Sequence, residues 1–259
     1  MTGLEETDSV VVESAGGVMV ITINRPQAKN AMTLEAAERI AAALDDLDAR
    51  DDLTVGIITG AGGTFCAGMD LKGFLRGERP SPPGRGFAGL TEAPPAKPLL
   101  AAVEGYALAG GCEITLACDI VVAGRGAKFG IPEVKRGLAA AAGGLLRLPD
   151  RIGLNAAMEL ALTGDFLGAQ RAYELGLVNR VTDDGQALAV ARELAAKIAA
   201  NGPLAVRGSK RVMLEAPSWA PAERFQKQWE ILDPVFASED AKEGSRAFAE
   251  KRAPNWRGK

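Results

Sequence analysis

The stretch Gly105-Tyr106-Ala107-Leu108-Ala109-Gly110-Gly111-Cys112-Glu113-Ile114-Thr115-Leu116-Ala117-Cys118-Asp119 decides the fold. It reads as a strand end, a glycine turn and a helix beginning at about Gly110. The N–H groups of a helix's first turn have no intrahelical partner. The helix dipole adds partial positive charge there. Small residues at that point leave the N–H groups open to an anion or a developing oxyanion. Glu113 falls within the same first turn, so a carboxylate stands beside the donors. Glycines here also serve tight turning and close packing, and a first-turn acid also complements the dipole. A second stretch of the same kind is therefore needed before chemistry is read into the first.

Composition narrows the choices. The chain has 259 residues, 47% hydrophobic and 24% charged, with a net charge of −3. That is an ordinary globular composition, with no basic field for nucleic acid or an anionic membrane. There is no histidine. Ser-His-Asp and Cys-His mechanisms are excluded, as are His-ligated metals, and acid–base work falls to Glu, Asp, Lys, Tyr or Cys. Cys66, Cys112 and Cys118 are sparse and odd in number, which suits free thiols in a reducing compartment, and their spacing fits no zinc pattern. No run reaches transmembrane length, and Met1-Thr2-Gly3-Leu4-Glu5-Glu6 lacks the apolar core of a signal peptide. A cytoplasmic protein is expected.

Upstream, Ser9–Glu13 and Val18–Ile23 are β-branched runs around Gly16-Gly17, a hairpin signal. Pro26 ends the second run. Thr33 is an N-cap for a helix through about Arg50, with Leu34, Ala37, Ile40, Ala41, Leu44 and Leu47 on one face. Val55–Gly60 is a buried strand, so the strand–helix–strand order implies parallel pairing. Gly60-Ala61-Gly62-Gly63-Thr64-Phe65-Cys66-Ala67-Gly68-Met69-Asp70-Leu71-Lys72 follows, and is the second N–H-exposing loop. It is neither a Walker loop nor a dinucleotide fingerprint. Residues 76–98 hold six of the fourteen prolines and read as a mobile lid.

Downstream, Leu99–Val103 and Ile120–Ala123 are strands. Glu133 follows a proline-fixed turn, and Leu138–Leu148 reads as a helix start. Asn155–Leu162 and Gly168–Leu175 are short helices, and Val178–Val181 a strand. From Gly185 the chain is helical, with Pro203 and Pro221 at helix starts and Ser238 an N-cap. The change to all-helical sequence divides a core, 1–200, from a helical region, 201–259.

Two N–H-donating loops and two candidate carboxylates resemble the enoyl-CoA hydratase/isomerase family, the crotonases. The matching stretches are Asn24-Arg25-Pro26 with Ala28 to Ala31, Phe65 to Leu71, Gly105 to Glu113 with Cys118-Asp119, and Phe129-Gly130-Ile131-Pro132-Glu133. Leu162-Thr163-Gly164, Glu174 to Asn179 and Phe248 to Arg252 follow in the family's order. The resemblance implies an α/β spiral of ββα units with a C-terminal helical region that assembles trimers, often paired into hexamers. It implies an acyl-CoA thioester substrate, with no cofactor beyond the coenzyme A of the substrate itself, no metal and no nucleic acid or membrane partner. It maps the oxyanion donors to the N–H groups of Met69 and Gly110, and the paired acid and base to Glu113 and Glu133. It places coenzyme A near Arg25, Ala28, Lys29, Ala67, Gly68, Asp70, Leu71 and Pro132, with Lys251 as a further phosphate partner. Phe248 either walls the adenine or, the favoured reading, packs in the tail helix.

Two carboxylates point to hydration or its reverse. An isomerase usually needs only one. A dehydratase of a specialised acyl-CoA, such as a carnitinyl or sterol-derived thioester, keeps both, and a non-catalytic relative that binds acyl-CoA or a protein or RNA partner would have lost one or carry a basic face. An oxidoreductase lacks its fingerprint. One departure stands out: Ala140 and Ala141 occupy positions where hydratases usually have Pro-Gly, ahead of Gly143-Gly144.

Overall fold

The computed structural model describes residues 8–259; the N-terminal hexapeptide lies outside them. Strands β1 (Val10–Ala15) and β2 (Val18–Ile23) form the hairpin. Gly16 and Gly17 sit at φ 58° and 79°, the left-handed conformation that a two-residue hairpin turn requires. Helix α1 (Leu34–Ala49) is capped by Thr33, whose hydroxyl accepts from Ala36 N at 3.3 Å. Next come β3 (Val55–Gly60), α2 (Leu71–Leu75), β4 (Leu99–Val103), β5 (Tyr106–Leu108) and α3 (Gly110–Ala117). Then follow β6 (Ile120–Gly124), β7 (Lys128–Gly130), α4 (Gly144–Ile152), α5 (Leu154–Thr163), β8 (Leu167–Gly168), α6 (Ala169–Leu175) and β9 (Arg180–Thr182). The chain closes with α7 (Ala187–Ala199), α8 (Pro203–Glu215), α9 (Arg224–Phe236) and α10 (Glu239–Glu250).

The large sheet runs β1-β2-β3-β4-β6-β9, parallel throughout except for the hairpin. Its central strands are apolar on both faces, as covered parallel strands must be. Ile57, Leu100 and Ala102 turn to one side, where Ala187, Ala191 and Ala195 of α7 let the helix lie close. Ile58, Leu99, Ala101 and Val103 turn to the other side, toward α1 and α3.

The second sheet, β5-β7-β8, was not visible in the sequence as separate strands. It continues through single bridges, Cys66 to Ala107 and Met32 to Met69. Successive turns of the chain thus place one strand in the large sheet and a short strand or bridge in the small one, before a helix in most turns. This is the expected spiral of ββα units. Gly105, at φ 57°, makes the bend from β4 into β5.

Two expectations are corrected. Residues 138–143 are not helical: α4 starts only at Gly144, because Gly143 at φ 97° turns the chain there. The proline-rich stretch is also no loose lid. Phe87, Ala88 and Leu90 are buried, and Gly89 abuts the α1 backbone. Lys210 Nζ of α8 donates to Pro95 O and Lys97 O, at 2.9 and 3.0 Å, and to Asp119 Oδ2 at 2.7 Å. The helical tail is therefore fastened to this segment as well as to the core.

Candidate active site

Glu113 is placed by the start of α3, and its side chain is only 3% exposed as a residue. Ala142 N and Gly144 N donate to its Oε1 at 2.7 and 2.9 Å. That explains the irregular 138–143 loop: its amides serve a carboxylate instead of a helix. Burial raises the Glu113 carboxyl above its ordinary range, while these amides and the charge of Arg147 pull it back.

Glu133 lies in the first turn of a 3-10 helix, Pro132–Arg136, with Pro132 fixing the entry. Its Oε2 is buried without a hydrogen-bond partner among the described residues. Burial pushes this carboxyl up to about 7; the Glu113 charge adds to the rise, whereas its own backbone N–H and Arg136 oppose it. One carboxyl is thus anchored by amides from another loop, whereas the other has an oxygen, Oε2, without a donor among the described residues. Such divergence lets a pair divide acid and base roles.

Both carboxyls line one cavity of about 840 Å³ together with Met69 and Gly110. Its walls are largely apolar, including Leu71, Phe74, Phe87, Leu108, Leu138 and Phe166, with Arg79, Glu92 and Arg136 among the charged members. Gly110 N and Met69 N donate to no acceptor among the described residues. The loops that carry them touch: a Cβ on Gly68 would sit 2.9 Å from Ala109 Cβ and 3.5 Å from Gly110 N. Only glycine lets them approach so closely. Ala109 holds φ 53° and ψ −126° just before the helix, a region L-residues avoid. Its N–H is bound to Gly130 O at 2.8 Å, and its carbonyl accepts from Cys112 N and Glu113 N.

The remaining sequence candidates divide. Ala67, Leu71 and Pro132 line the cavity, and Ala67 N donates to Lys29 O at 3.1 Å. Ala28 ends the adjoining 3-10 turn, and Lys29 Nζ stands 5.6 Å over the Tyr106 ring. Arg25 and Asp70 are committed to each other at 3.0 Å. Arg25 also donates to Ala31 O, and Asp70 caps α2. Their work is to join the two loops. Phe248 and Lys251 are not among the cavity's lining residues. Phe248 is 88% exposed, so the expectation that it packs within the tail fails in the single chain. Ala141 lines the cavity, has no positive φ, and its N–H is free of acceptors among the described residues. Replacing the usual glycine there costs no strain.

Two contributors escaped sequence reading. Phe87 packs so tightly on Gly110 that a Cβ at Gly110 would overlap its ring. Arg147, on α4, draws the Glu113 carboxyl down by its charge. Neither carries a local motif.

A family model described as enoyl-CoA hydratase/isomerase matches residues 13–259. Enoyl-CoA hydratase EchA19 of Mycobacterium tuberculosis is 44% identical, covering 99% of each chain. A carnitinyl-CoA dehydratase of Salmonella typhi is 40% identical, covering 98% of this chain and all (100%) of its own. The crystal structure of an enoyl-CoA hydratase from Mycobacterium tuberculosis H37Rv shares 58% identity at a TM-score of 0.95, over 97% of this chain and 99% of that one.

Proposed function

The chain belongs to the enoyl-CoA hydratase/isomerase family, and from that premise we propose that it is an enoyl-CoA hydratase adding water across the 2,3 double bond of a trans-2-enoyl-CoA. The observation that carries this reading is the convergence of Glu113, Glu133, Met69 and Gly110 on one cavity.

In the forward direction, water is held between the two carboxyls. Glu113, whose Oε1 accepts from two amides, takes a proton from the water as its oxygen bonds to C3. The electron pair of the C2–C3 double bond moves toward the thioester, and its oxygen becomes an enolate. The N–H groups of Met69 and Gly110 stabilise that charge; losing one such donor costs about 3 kcal/mol in barrier. Glu133, which at neutral pH can still hold a proton, delivers it to C2. The two carboxyls finish with their protons exchanged, and solvent resets them. Every step uses groups of the chain, so no cofactor or metal is required.

Coenzyme A is placed along the Ala28-Lys29 and Ala67 to Leu71 backbone, with Pro132 flanking, and Arg25 and Asp70 hold those loops in place. The active form is a homotrimer or homohexamer. Phe225, Phe236 and Phe248 on the tail are 77%, 65% and 88% exposed, the kind of apolar surface that a subunit interface covers. Lys251, beside Phe248 at the end of α10, would then be carried toward a neighbour's phosphates. Among the described residues no helix is long and apolar enough to cross a membrane; we place the protein in the cytoplasm.

A second reading, dehydration of a polar acyl-CoA, is favoured by Arg79, Glu92 and Arg136. All three line the cavity without an ion-pair partner among the described residues. Hydration of crotonyl-CoA and a longer 2-enoyl-CoA, followed by loss of enoyl-thioester absorbance, tests the first reading. Wild type should turn over, and Glu113→Gln and Glu133→Gln should each lose about a thousandfold. An inert wild type sinks hydration of simple enoyl chains and moves the polar substrates ahead.

A further inference from the structure

Two arginines, Arg147 and Arg151, stand one turn apart on α4. Arg151 NH2 donates to Cys118 O at 2.8 Å and to Leu116 O at 3.5 Å, closing the C-terminal end of α3. Arg147 is placed differently. Its NH2 donates to Thr91 O at 2.6 Å. Its guanidinium lies so close over Gly143 that a Cβ there would overlap it. Gly143 stands between Ala142 and Gly144, the two donors to Glu113. Thr91 follows Phe87 in the proline-rich segment, donates its N–H to Phe87 O at 3.2 Å, and is itself buried. The Phe87 ring abuts Gly110. No carboxylate among the described residues lies within ion-pair distance of Arg147. A half-buried cation with no such partner is costly to keep unless its charge is used.

We propose that Arg147 is a positioning residue for the hydration reaction: one guanidinium ties the loop holding Glu113 to the segment backing Gly110, and sets its charge beside the two amides that hold the Glu113 carboxylate. This rests on the reading of Glu113 as the base.

The charged and titratable groups around Glu113 are few. Glu133 repels it from the neighbouring turn, with Arg136 beside Glu133 and Glu92 on the cavity wall. Arg151 is occupied with carbonyls of α3. Cys112, next in sequence, is a neutral thiol because burial pushes it up to about 12. Arg147 is the cation that holds the Glu113 proton affinity down. Without it, Glu113 gains its proton at higher pH, so the loss of activity must be largest on the acid side.

The test is kcat and KM for crotonyl-CoA and a longer 2-enoyl-CoA from pH 5 to 9, with wild type, Arg147→Gln and Arg147→Lys. For Arg147→Gln, kcat should fall about tenfold or more near pH 5.5 and only about threefold at pH 8, with KM changed less than about twofold. Arg147→Lys should remove the excess acid-side loss, yet keep the uniform deficit of about threefold, because an ammonium cannot span Thr91 and the donor loop as a guanidinium does. A deficit in Arg147→Gln that is equal at every pH, confined to KM or absent overturns the proposal. If Arg147→Gln fails to fold, Arg147→Lys decides: an acid limb displaced from wild type, or wild-type kcat throughout, overturns it. An inert wild type overturns the hydratase reading together with this one, whereas an active wild type with a flat Arg147→Gln response overturns the Arg147 proposal alone.

Discussion

Replacing Glu133 by glutamine should stabilise the protein at alkaline pH while removing its activity. The folded carboxyl titrates at about 7 against 4.5 for the free group, chiefly because burial penalises the charge. At about 1.36 kcal/mol per decade of proton affinity, ionising it in the fold costs about 3.4 kcal/mol. The cavity is open and part of the side chain meets solvent, so screening reduces this to about 2 kcal/mol. The sign follows from linkage. Below the unfolded value of 4.5 both states hold the proton and nothing is lost; between 4.5 and about 7 the unfolded chain releases it first, and stability falls. Above about 7 the full penalty is in place. Glutamine keeps the shape without the charge, so Glu133→Gln should be about 2 kcal/mol more stable than wild type at pH 8.5. At pH 4.5 the difference should fall within about 0.5 kcal/mol. Urea unfolding at the two pH values, compared at equal m-value, measures it. A variant that gains nothing at pH 8.5, or gains equally at both pH values, would refute the claim that the bare Oε2 carries the strain.

The same carboxyl should set the alkaline limb of catalysis: hydration kcat/KM should decline above about pH 7 as Glu133 loses its proton, and a rate flat to pH 9 would remove it as the acid. Gly110→Ala drives a Cβ into the Phe87 ring, so kcat should fall about a hundredfold with little change in KM; adding Phe87→Ala should recover part of the loss, and no recovery would mean that the clash lies elsewhere. Lys210→Met leaves Asp119 without its cation and the carbonyls of Pro95 and Lys97 without their ammonium donor. Stability should drop about 3 kcal/mol by denaturant titration, and a loss under about 1 kcal/mol would show that the ammonium holds nothing together.

What could be read from the sequence was local. The helix start at Gly110, the caps at Thr33 and Ser238 and the proline start at Pro203 each depend on neighbours within a turn, and each is found in place. The short strands Tyr106–Leu108 and Lys128–Gly130 are too brief for any period to appear. Residues 138–143 misled because alanine favours helix wherever nothing competes. Here Glu113, some thirty residues earlier, claims the amides of Ala142 and Gly144. Residues 76–98 misled for the opposite reason. Their prolines signal irregular backbone, and irregular is not the same as loose. Asp48, Arg147 and Lys210 hold that segment from far along the chain. Glu113 and Glu133 were legible as a pair, but not which of them is anchored and which bare, because that difference is made by the fold.

The site gathers most of what this chain does against its own stability. Ala109 sits at φ 53° where glycine would be easier, at a cost of about 1–3 kcal/mol. Glu133 Oε2 is buried without a partner, Gly110 N and Met69 N donate to nothing, and Arg147 is half-buried without an ion pair, all among the described residues. Each of these is unfavourable for folding. In the proposed reaction two of them, the free amides and Glu133, would be relieved by one event, the appearance of negative charge on a thioester oxygen and of a water between two carboxyls. The oxyanion would satisfy the two amides, and the water and its proton would satisfy Glu133. Ala109 is held in its strained conformation by Gly130 O on one side and the first turn of α3 on the other, so the donors do not have to be moved when that charge develops. A fold that kept these groups comfortable would have to reorganise them during the reaction, and the cost would then fall on the barrier instead of on stability.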